Sequence, residues 1–595
     1  MNKTAIRHLN TSRYVYPQAR NVLNFSIQVA RKDIKTCRLY YFSRNHPEDL
    51  KYKDMTWKYR DAYFDYFECT VHFSSVARYQ KYYFRLEDYQ ENVEYLSAYG
   101  FTKTKPESGF YEYLYTNAGD IITAPDWSKG QIFYQIFPER FFDGNAKNNN
   151  ENVVSWGSKP TRDNFMGGDI AGITKKLDYL EELSIQCLYL TPIFDADFNH
   201  KYATTNYFKI DPGFGTEAEF KTLVDECHKR GIKIILDGVF NHTGVHFKAF
   251  QDILKHQENS KYKDWYYINK FPIEIANDYY ECVGDYKWMP KLNTSNIEVQ
   301  EFILEVMEYW LEKFNIDGWR LDVADEVDQM LWKKANNRLK SNDNDVLLLG
   351  ETWGYGYEMM HGDELDSVMN YVFRDAVRDF FAFESIDVKE FDHRINNMLA
   401  AYFSDKKYSL YNLLDSHDTA RFLYLCDEQK DKLKLAVTFQ FMFLGSPAIY
   451  YGDEIGITGD TDPDCRRAMV WEGGKQDEEI LEWYKTLAKI RVAEPCVSRG
   501  EYSTNICDEE KSTYGFIRYT KKDAVYVVFN RANEALNISI PLLHTNDVKD
   551  LITDKIYSSQ KLDSRKPYYN DDVITYKAQL DINIDANSVL ILKQI

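Results

Sequence analysis

Eight short apolar runs recur between residues 131 and 456, and helix-like segments separate most of them. In chain order they read QIFYQIF, CLYLTPI, IKIILDGVF, IDGWRLDVA, VLLLGETW, SVMNYVF, YNLLDS and AIYYGDEIG. One intervening segment, NIEVQEFILEVMEYWLEKF, sets Val299, Phe302, Ile303, Val306 and Trp310 on a single helical stripe. Strands that alternate with amphipathic helices build a parallel sheet, and eight of them predict a (β/α)8 TIM barrel over residues 123–495. The stretch 243–295 is too long for a simple loop and predicts a small lobe inserted after the third strand.

The rhythm differs on either side of the barrel. Segments such as LNFSIQV, CRLYYFS, FECTVHF and YYFRLED alternate with period two and predict an N-terminal immunoglobulin-like β-sandwich over 1–122, joined through TAPDWSKG. TYGFIRYT and AVYVVFNR open a C-terminal antiparallel β domain over 496–595. A chain of 595 residues is too long for one core, so three domains suit it.

Composition narrows the partners. A formal net charge of -19, without clustered Lys and Arg, argues against nucleic acid. No apolar run suits a membrane span or a signal-peptide core, so a cytoplasmic location is expected. Nine scattered cysteines without a CxxC pair suggest reduced thiols rather than disulfides or a zinc site. Aromatic residues make up 16% of the chain, which suits large β-rich cores and equally suits sugar binding, since pyranose faces pack on rings.

Functional groups of such a barrel sit at the C-terminal ends of its strands. Here the third strand ends in DGVFNH, the fourth in RLDVADE, the fifth in GETW and the seventh in DSHD, all acidic. One such end is readily a helix cap or a structural ion pair. Four on one barrel, two of them beside a histidine, point to chemistry. In GWRLDVADE, strand alternation puts Arg320 and Asp322 on one side and Trp319, Leu321 and Val323 on the other. A cation there favours the ionised form of its neighbour.

With these motifs in this order, and with MPKLN at 289–293, the chain resembles glycoside hydrolase family 13, the α-amylase superfamily, and within it the neopullulanase, cyclomaltodextrinase and maltogenic amylase subfamily. The resemblance implies a retaining α-glucan hydrolase that cleaves α-1,4 bonds of cyclodextrins, maltooligosaccharides and pullulan or starch, with some transglycosylation. It implies Asp322 as nucleophile, Glu351 as general acid/base and Asp418 as the third acid. Arg320, His242, His417, Tyr202 and Trp353 are implied as substrate-binding residues, and Asp237 as structural support. Trp353 and Trp288 read as sugar platforms or as core and lid residues. HKYATTNY departs from the family pattern, because Ala203 and Asn206 replace two acids, and Asp325 stands where many relatives carry Asn.

DGNAKNNN with the later GGD is similar to a calcium loop of this subfamily, which implies oxygen ligands from Asp143, Asn145, Asn148, Asn149, Gly167 and Asp169. An Asn-rich surface turn is the alternative. The resemblance further implies a homodimer through the N-terminal domain and no organic cofactor. Two other functions fit the same residues. A glucanotransferase would make longer oligomers faster than it hydrolyses, and a non-catalytic glucan-binding protein would bind without turnover.

Overall fold

The apolar runs pair in parallel and close on themselves. In the computed structural model, which describes residues 1–275, 277–341, 345–562 and 575–595, the barrel strands are Phe133–Ile136, Cys187–Leu190, Lys233–Gly238, Gly318–Leu321, Leu347–Gly350, Ser367–Val368, Tyr411–Leu413 and Ser446–Tyr450. They are called the first to eighth barrel strands below. Their spatial order is six, five, four, three, two, one, eight, seven, and a parallel bridge from Met369 to Tyr411 joins six to seven. Nearly every residue in them is buried, as expected for strands with side chains on one face and helices on the other.

Register decides which side chains meet. Asp237 on the third strand lies opposite Arg320 on the fourth, which lies opposite Leu349 on the fifth. The acids that follow Leu321 and Gly350 therefore emerge at one level of the barrel rim.

The helix read from NIEVQEFILEVMEYWLEKF runs Ile297–Phe314. The Asn296 side chain accepts a hydrogen bond from the Glu298 amide at its start, and Asn315, with φ of 60°, ends it in the left-handed region. Its buried stripe includes Val299, Phe302, Ile303, Val306 and Trp310, each contributing about 1.5–3 kcal/mol when removed from water. Trp310 also donates through its indole to the Tyr207 carbonyl at 2.8 Å, which satisfies its only polar atom.

Among its described residues the inserted segment holds one α-helix, Lys248–His256, two single 3-10 turns, Gln257–Asn259 and Lys263–Trp265, and isolated bridges. Phe250 packs edge-on against Tyr266 and Tyr280 at 5.1 and 5.0 Å. The segment returns to the rim through a bridge between His242 and Lys291, so it pins MPKLN beside the third strand's end.

Two antiparallel sheets form the N-terminal sandwich between Val15 and Tyr115, over a core that includes Leu23, Phe25, Ile27, Leu39, Phe84 and Leu86. The C-terminal region begins with the strand Glu501–Asp508 and also splits into two antiparallel sheets. The short helix Pro495–Arg499 spans the junction expected at 495/496. Buried Arg518 ties this region to the barrel through a hydrogen bond to the Met442 carbonyl. All nine cysteines are free thiols, and no described helix is long and apolar enough to cross a membrane.

Candidate active site

Arg320 is fully buried, and three carboxylates surround it. Its Nη1 donates to both oxygens of Asp237 at 2.9 and 3.0 Å and to Asp322 Oδ1 at 2.8 Å. Its Nη2 lies 2.9 Å from Glu351 Oε2. One cation from the fourth strand thus joins acids from the ends of the third, fourth and fifth. Burial opposes its charge, but Asp237 and Glu351 outweigh that and hold it ionised.

The acids themselves are pushed toward protonation. Burial raises Asp322 well above its ordinary range; Arg320 pulls it back, while Glu351, Asp237 and Asp418 push it up again. Burial also raises Glu351, against the pull of Arg320, and lifts Asp237 to about 6. A cluster with more buried carboxylates than cations holds a proton readily, which is the condition for one acid and one base side by side.

The fourth strand stops at Leu321, earlier than its sequence pattern suggests. Val323 does not continue the alternation: it adopts φ of 47°, a region that a β-branched residue enters at a cost of roughly 1–3 kcal/mol. The turn aims the Val323 amide at Glu351 Oε2, 2.8 Å away, and the Ala324 amide at the Glu351 carbonyl, 3.1 Å away. Backbone strain after the fourth strand therefore positions the acid of the fifth.

Tyr202 and His417 stack with centroids 5.3 Å apart and planes 2° from parallel. Gln135 Nε2 lies 2.7 Å from His417 Nδ1, the Tyr202 hydroxyl 2.5 Å from His417 Nε2, and that hydroxyl donates to Asp237 at 2.9 Å. Burial, with Arg466 and Arg320 nearby, holds His417 neutral. A neutral ring accepting from Gln135 at Nδ1 must carry its proton on Nε2, so the hydrogen bonds run in one direction from Gln135 to Asp237. Asp418 is more open; it lies 3.1 Å from His417 Nε2 and accepts from Arg466 at 3.2 Å. His242 is held neutral by burial, which lowers it to about 3; its Nε2 meets the Tyr202 carbonyl at 3.1 Å, and its Nδ1 has no protein partner.

Both tryptophans singled out in the sequence lie at the rim. Trp288 begins an aromatic row that passes through Phe198 and His200 to Tyr202, with successive centroids 5.9, 5.3 and 5.8 Å apart. Trp353, half-exposed, stacks on Tyr371 at 4.2 Å. Lys291 of MPKLN reaches Asn241 of the third strand's end and Glu326 of the fourth's. Ala203 is buried, and Asn206 is exposed with its side chain accepting from the Phe208 amide, so neither replacement leaves a buried polar gap. Asp325 is pushed up by burial and then by Glu351, which places it within the field of the acid cluster.

Sequence reasoning did not single out Gln135, Tyr189 or Tyr371. Tyr189 donates to Asp237 at 2.6 Å. A glutamine inside the apolar run QIFYQIF was the one available signal; the two tyrosines read as core.

The Asn-rich loop folds around Asp169. That carboxylate accepts from the amides of Gly144, Asn145 and Gly172 and from Asn148 Nδ2, and it caps the helix Ile170–Lys175. Asn149 donates to Asp143 at 2.8 Å, yet Asp143 Oδ1 and Asn149 Oδ1 are both buried without partners. Gly167 has φ of 85°, and a Cβ there would lie 2.5 Å from Asn149 Oδ1. Two adjacent orphaned oxygens beside a glycine fit a hard cation, although Asp169 is already committed to N–H donors. Among the described residues no cluster of three or more His, Cys, Asp or Glu side chains forms a metal site.

The chain is similar to known proteins over most of its length. Residues 135–496 match the α-amylase catalytic domain, and residues 1–117 match the α-amylase N-terminal Ig-like domain. The chain is similar to a cyclomaltodextrinase of Thermoanaerobacter pseudethanolicus, with 42% identity covering 90% of this chain and 93% of that one. It is similar to neopullulanase 2 of Thermoactinomyces vulgaris, with 40% identity covering 89% and 91%. A solved cyclomaltodextrinase superposes over 100% of both chains with a TM-score of 0.90 and 35% identity.

Proposed function

Because the chain belongs to the α-amylase family, glycoside hydrolase family 13, we propose that Asp322, Glu351 and Asp418 cleave α-1,4-glucosidic bonds with retention of anomeric configuration. The chain is an α-glucan hydrolase, and the division of labour among its acids follows from Arg320. The observation that carries it is the contact of one buried guanidinium with Asp322 and Glu351 through neighbouring nitrogens. Such a grip favours the short separation of a retaining pair, roughly 5 Å, over the wider inverting arrangement.

Asp322 accepts the hydrogen bond from Arg320 that opposes the rise caused by burial, and serves in this reading as the ionised nucleophile. It attacks the anomeric carbon as the bond to the leaving sugar breaks, and Glu351 gives its proton to the departing oxygen. Water then attacks the glycosyl ester, Glu351 takes the water proton, and Asp322 leaves. A sugar hydroxyl in place of that water gives transglycosylation. Asp418 and Arg466 hold hydroxyls of the reacting sugar with His417 and His242, while Tyr202 stacks beneath it. Trp353 and the row from Trp288 to Tyr202 are platforms for flanking glucose units.

The substrates proposed are cyclodextrins and short maltooligosaccharides, then pullulan and starch; relatives named cyclomaltodextrinase and neopullulanase support this class. A homodimer through the N-terminal sandwich would narrow the cleft toward such substrates, and exposed Tyr52, Tyr99 and Leu114 on that domain offer it contact area. A cytoplasmic location draws support from a relative named intracellular maltogenic amylase in Bacillus subtilis, 40% identical over 74% of this chain. Calcium would be held by Asp143, Asn149 and the Gly167 carbonyl, with Asn145, Asn148 and Asp169 around them, and would fix the loop structurally.

The test is the product profile on β-cyclodextrin, soluble starch and pullulan in parallel, with Glu351→Gln as blank. Rapid cyclodextrin opening with slow starch attack is expected. Starch cleaved as readily as cyclodextrin would refute the narrow-cleft reading.

A further inference from the structure

The C-terminal sandwich keeps a hollow that its own side chains do not fill. It opens between the strands Glu501–Asp508 and Leu536–Leu542, which belong to different sheets, and its volume is about 250 Å³. Asn505, Ile506, Thr513, Asn537, Ser539 and Pro541 are among its walls. Asn505 is 4% exposed, yet neither its Nδ2 nor its Oδ1 has a hydrogen-bond partner among the described residues. We propose that this hollow is a second sugar site, which takes one neutral pyranose unit through neighbouring hydroxyls on Asn505, in a domain apart from the acids of the barrel rim.

The local sequence turns Asn505 inward. Thr504 and Cys507 both face the barrel: Thr504 Oγ1 donates to Asp392 at 2.6 Å, and Cys507 Sγ lies 3.7 Å from the Val388 carbonyl. Two residues, Asn505 and Ile506, therefore lie between two that face outward, which period-two alternation cannot give and a β-bulge can. The pairing skips Asn505, since Thr504 lies opposite Phe516 and Ile506 opposite Gly515. Ile506 then packs on the sandwich core while Asn505 lines the hollow. Gly515 makes the room, because a Cβ there would lie 2.9 Å from Asn505 Oδ1. A glycine inside a strand often marks such a close approach.

A buried amide with both halves open is costly unless something pairs with it. Its partner must accept from Nδ2 and donate to Oδ1 at neighbouring points. A cation would meet only the oxygen and an anion only the nitrogen, whereas adjacent hydroxyls of a sugar ring meet both. Charge agrees, since Lys511 and Asp508 both line the hollow and neither sign prevails. The volume lies below the roughly 300–1,000 Å³ of drug-sized pockets, which limits the occupant to about one ring. Ile506, Ile538 and Pro541 form an apolar wall for the C–H face of that ring. An α-glucan hydrolase meets such hydroxyls in two forms, as a free sugar and as the end of a glucan chain.

The test is hydrogen–deuterium exchange of the full chain carrying Asp322→Asn, so that sugars are not consumed, read on peptides spanning 501–519 and on peptides carrying Asp418. Amides that open only when the sugar leaves slow by a factor of 1 + [L]/Kd, about tenfold when the sugar is at about ten times its Kd. Glucose or maltoheptaose should slow 501–519 by that amount; slowing by glucose identifies a free sugar, and slowing by maltoheptaose alone identifies a chain end. In Asn505→Leu the slowing over 501–519 should vanish while that around Asp418 persists, and the same substitution in the active enzyme should leave kcat/KM on maltotriose within about twofold of wild type. If Asn505→Leu does not fold, Asn505→Ala, which removes the amide without adding bulk, gives the same comparison. Slowing around Asp418 alone would show that the amide is merely hydrated, and slowing over 501–519 by inorganic sulfate but by neither sugar would show an anion site. Either result would overturn the proposal, as would sugar-dependent slowing that survives the loss of the Asn505 amide.

Discussion

Replacing Arg320 by Met would remove the one cation that, among the described residues, touches Asp237, Asp322 and Glu351 together. An opposite charge at hydrogen-bond distance lowers a carboxyl pKa by about 1–3 units. The effect on Asp322 has a definite sign: burial already raises it, Arg320 opposes that rise, and losing Arg320 moves it higher still. The acid limb of the kcat/KM profile, which reports the ionised nucleophile in free enzyme, should therefore move up by about 1–3 units, and activity at pH 6 should fall on the order of 10–1000-fold. Stability should drop as well, by about 3–5 kcal/mol, because the remaining buried carboxylates lose their shared cationic partner. Arg320→Lys keeps the charge but cannot fork to acids on three strands, so its limb should shift less while kcat still falls. The assay is glucose and maltose release from maltotriose between pH 4 and 9, with melting temperature measured at each pH. An acid limb that stays in place in a folded Arg320 variant would refute the claim that this residue sets the ionisation of Asp322.

Two further outcomes follow from groups outside the catalytic cluster. Asp392, at the seam between the barrel and the C-terminal strands, accepts from Asn396, Thr504 and Tyr514, and burial raises it to about 6. A folded-state pKa above the unfolded one contributes stability at low pH that is lost as pH rises through the folded value, so Asp392→Asn should be more stable than wild type at pH 8 by about 2 kcal/mol and equal to it near pH 4; equal melting temperatures at pH 8 would count against a buried charge there. If the Asn-rich loop holds calcium, a free concentration 100 times the Kd should stabilise the chain by about 2.7 kcal/mol, and Asp143→Ala should abolish the shift. An unchanged melting curve with calcium or EDTA would leave the loop as a turn capped by Asp169.

The barrel was legible because its strands are apolar runs and its acids sit where those runs end. Asp322, Glu351 and Asp418 needed only that placement, and Arg320 needed only period-two alternation with Asp322. What could not be read is contact across the barrel. Gln135 faces His417 from a strand 282 residues away in sequence, and Tyr189 and Tyr371 have the composition of core residues, yet one donates to Asp237 and the other stacks on Trp353. The Val323 turn was also hidden, since a valine in a strand-like run carries no sign of positive φ. Length alone marked 243–295 as an inserted segment but did not show its contents: among its described residues it holds one α-helix, two single turns of 3-10 helix and a set of bridges that deliver Lys291 to the rim.

The most direct test of the double-displacement account is to trap the glycosyl intermediate. Glu351→Gln would be incubated with a 5-fluoro-α-glycosyl fluoride, which forms the ester and then turns over slowly, and peptic peptides would be mapped by mass spectrometry. The account predicts a single glycosyl adduct on Asp322. An adduct on another carboxyl, or no adduct together with inverted product, would contradict it.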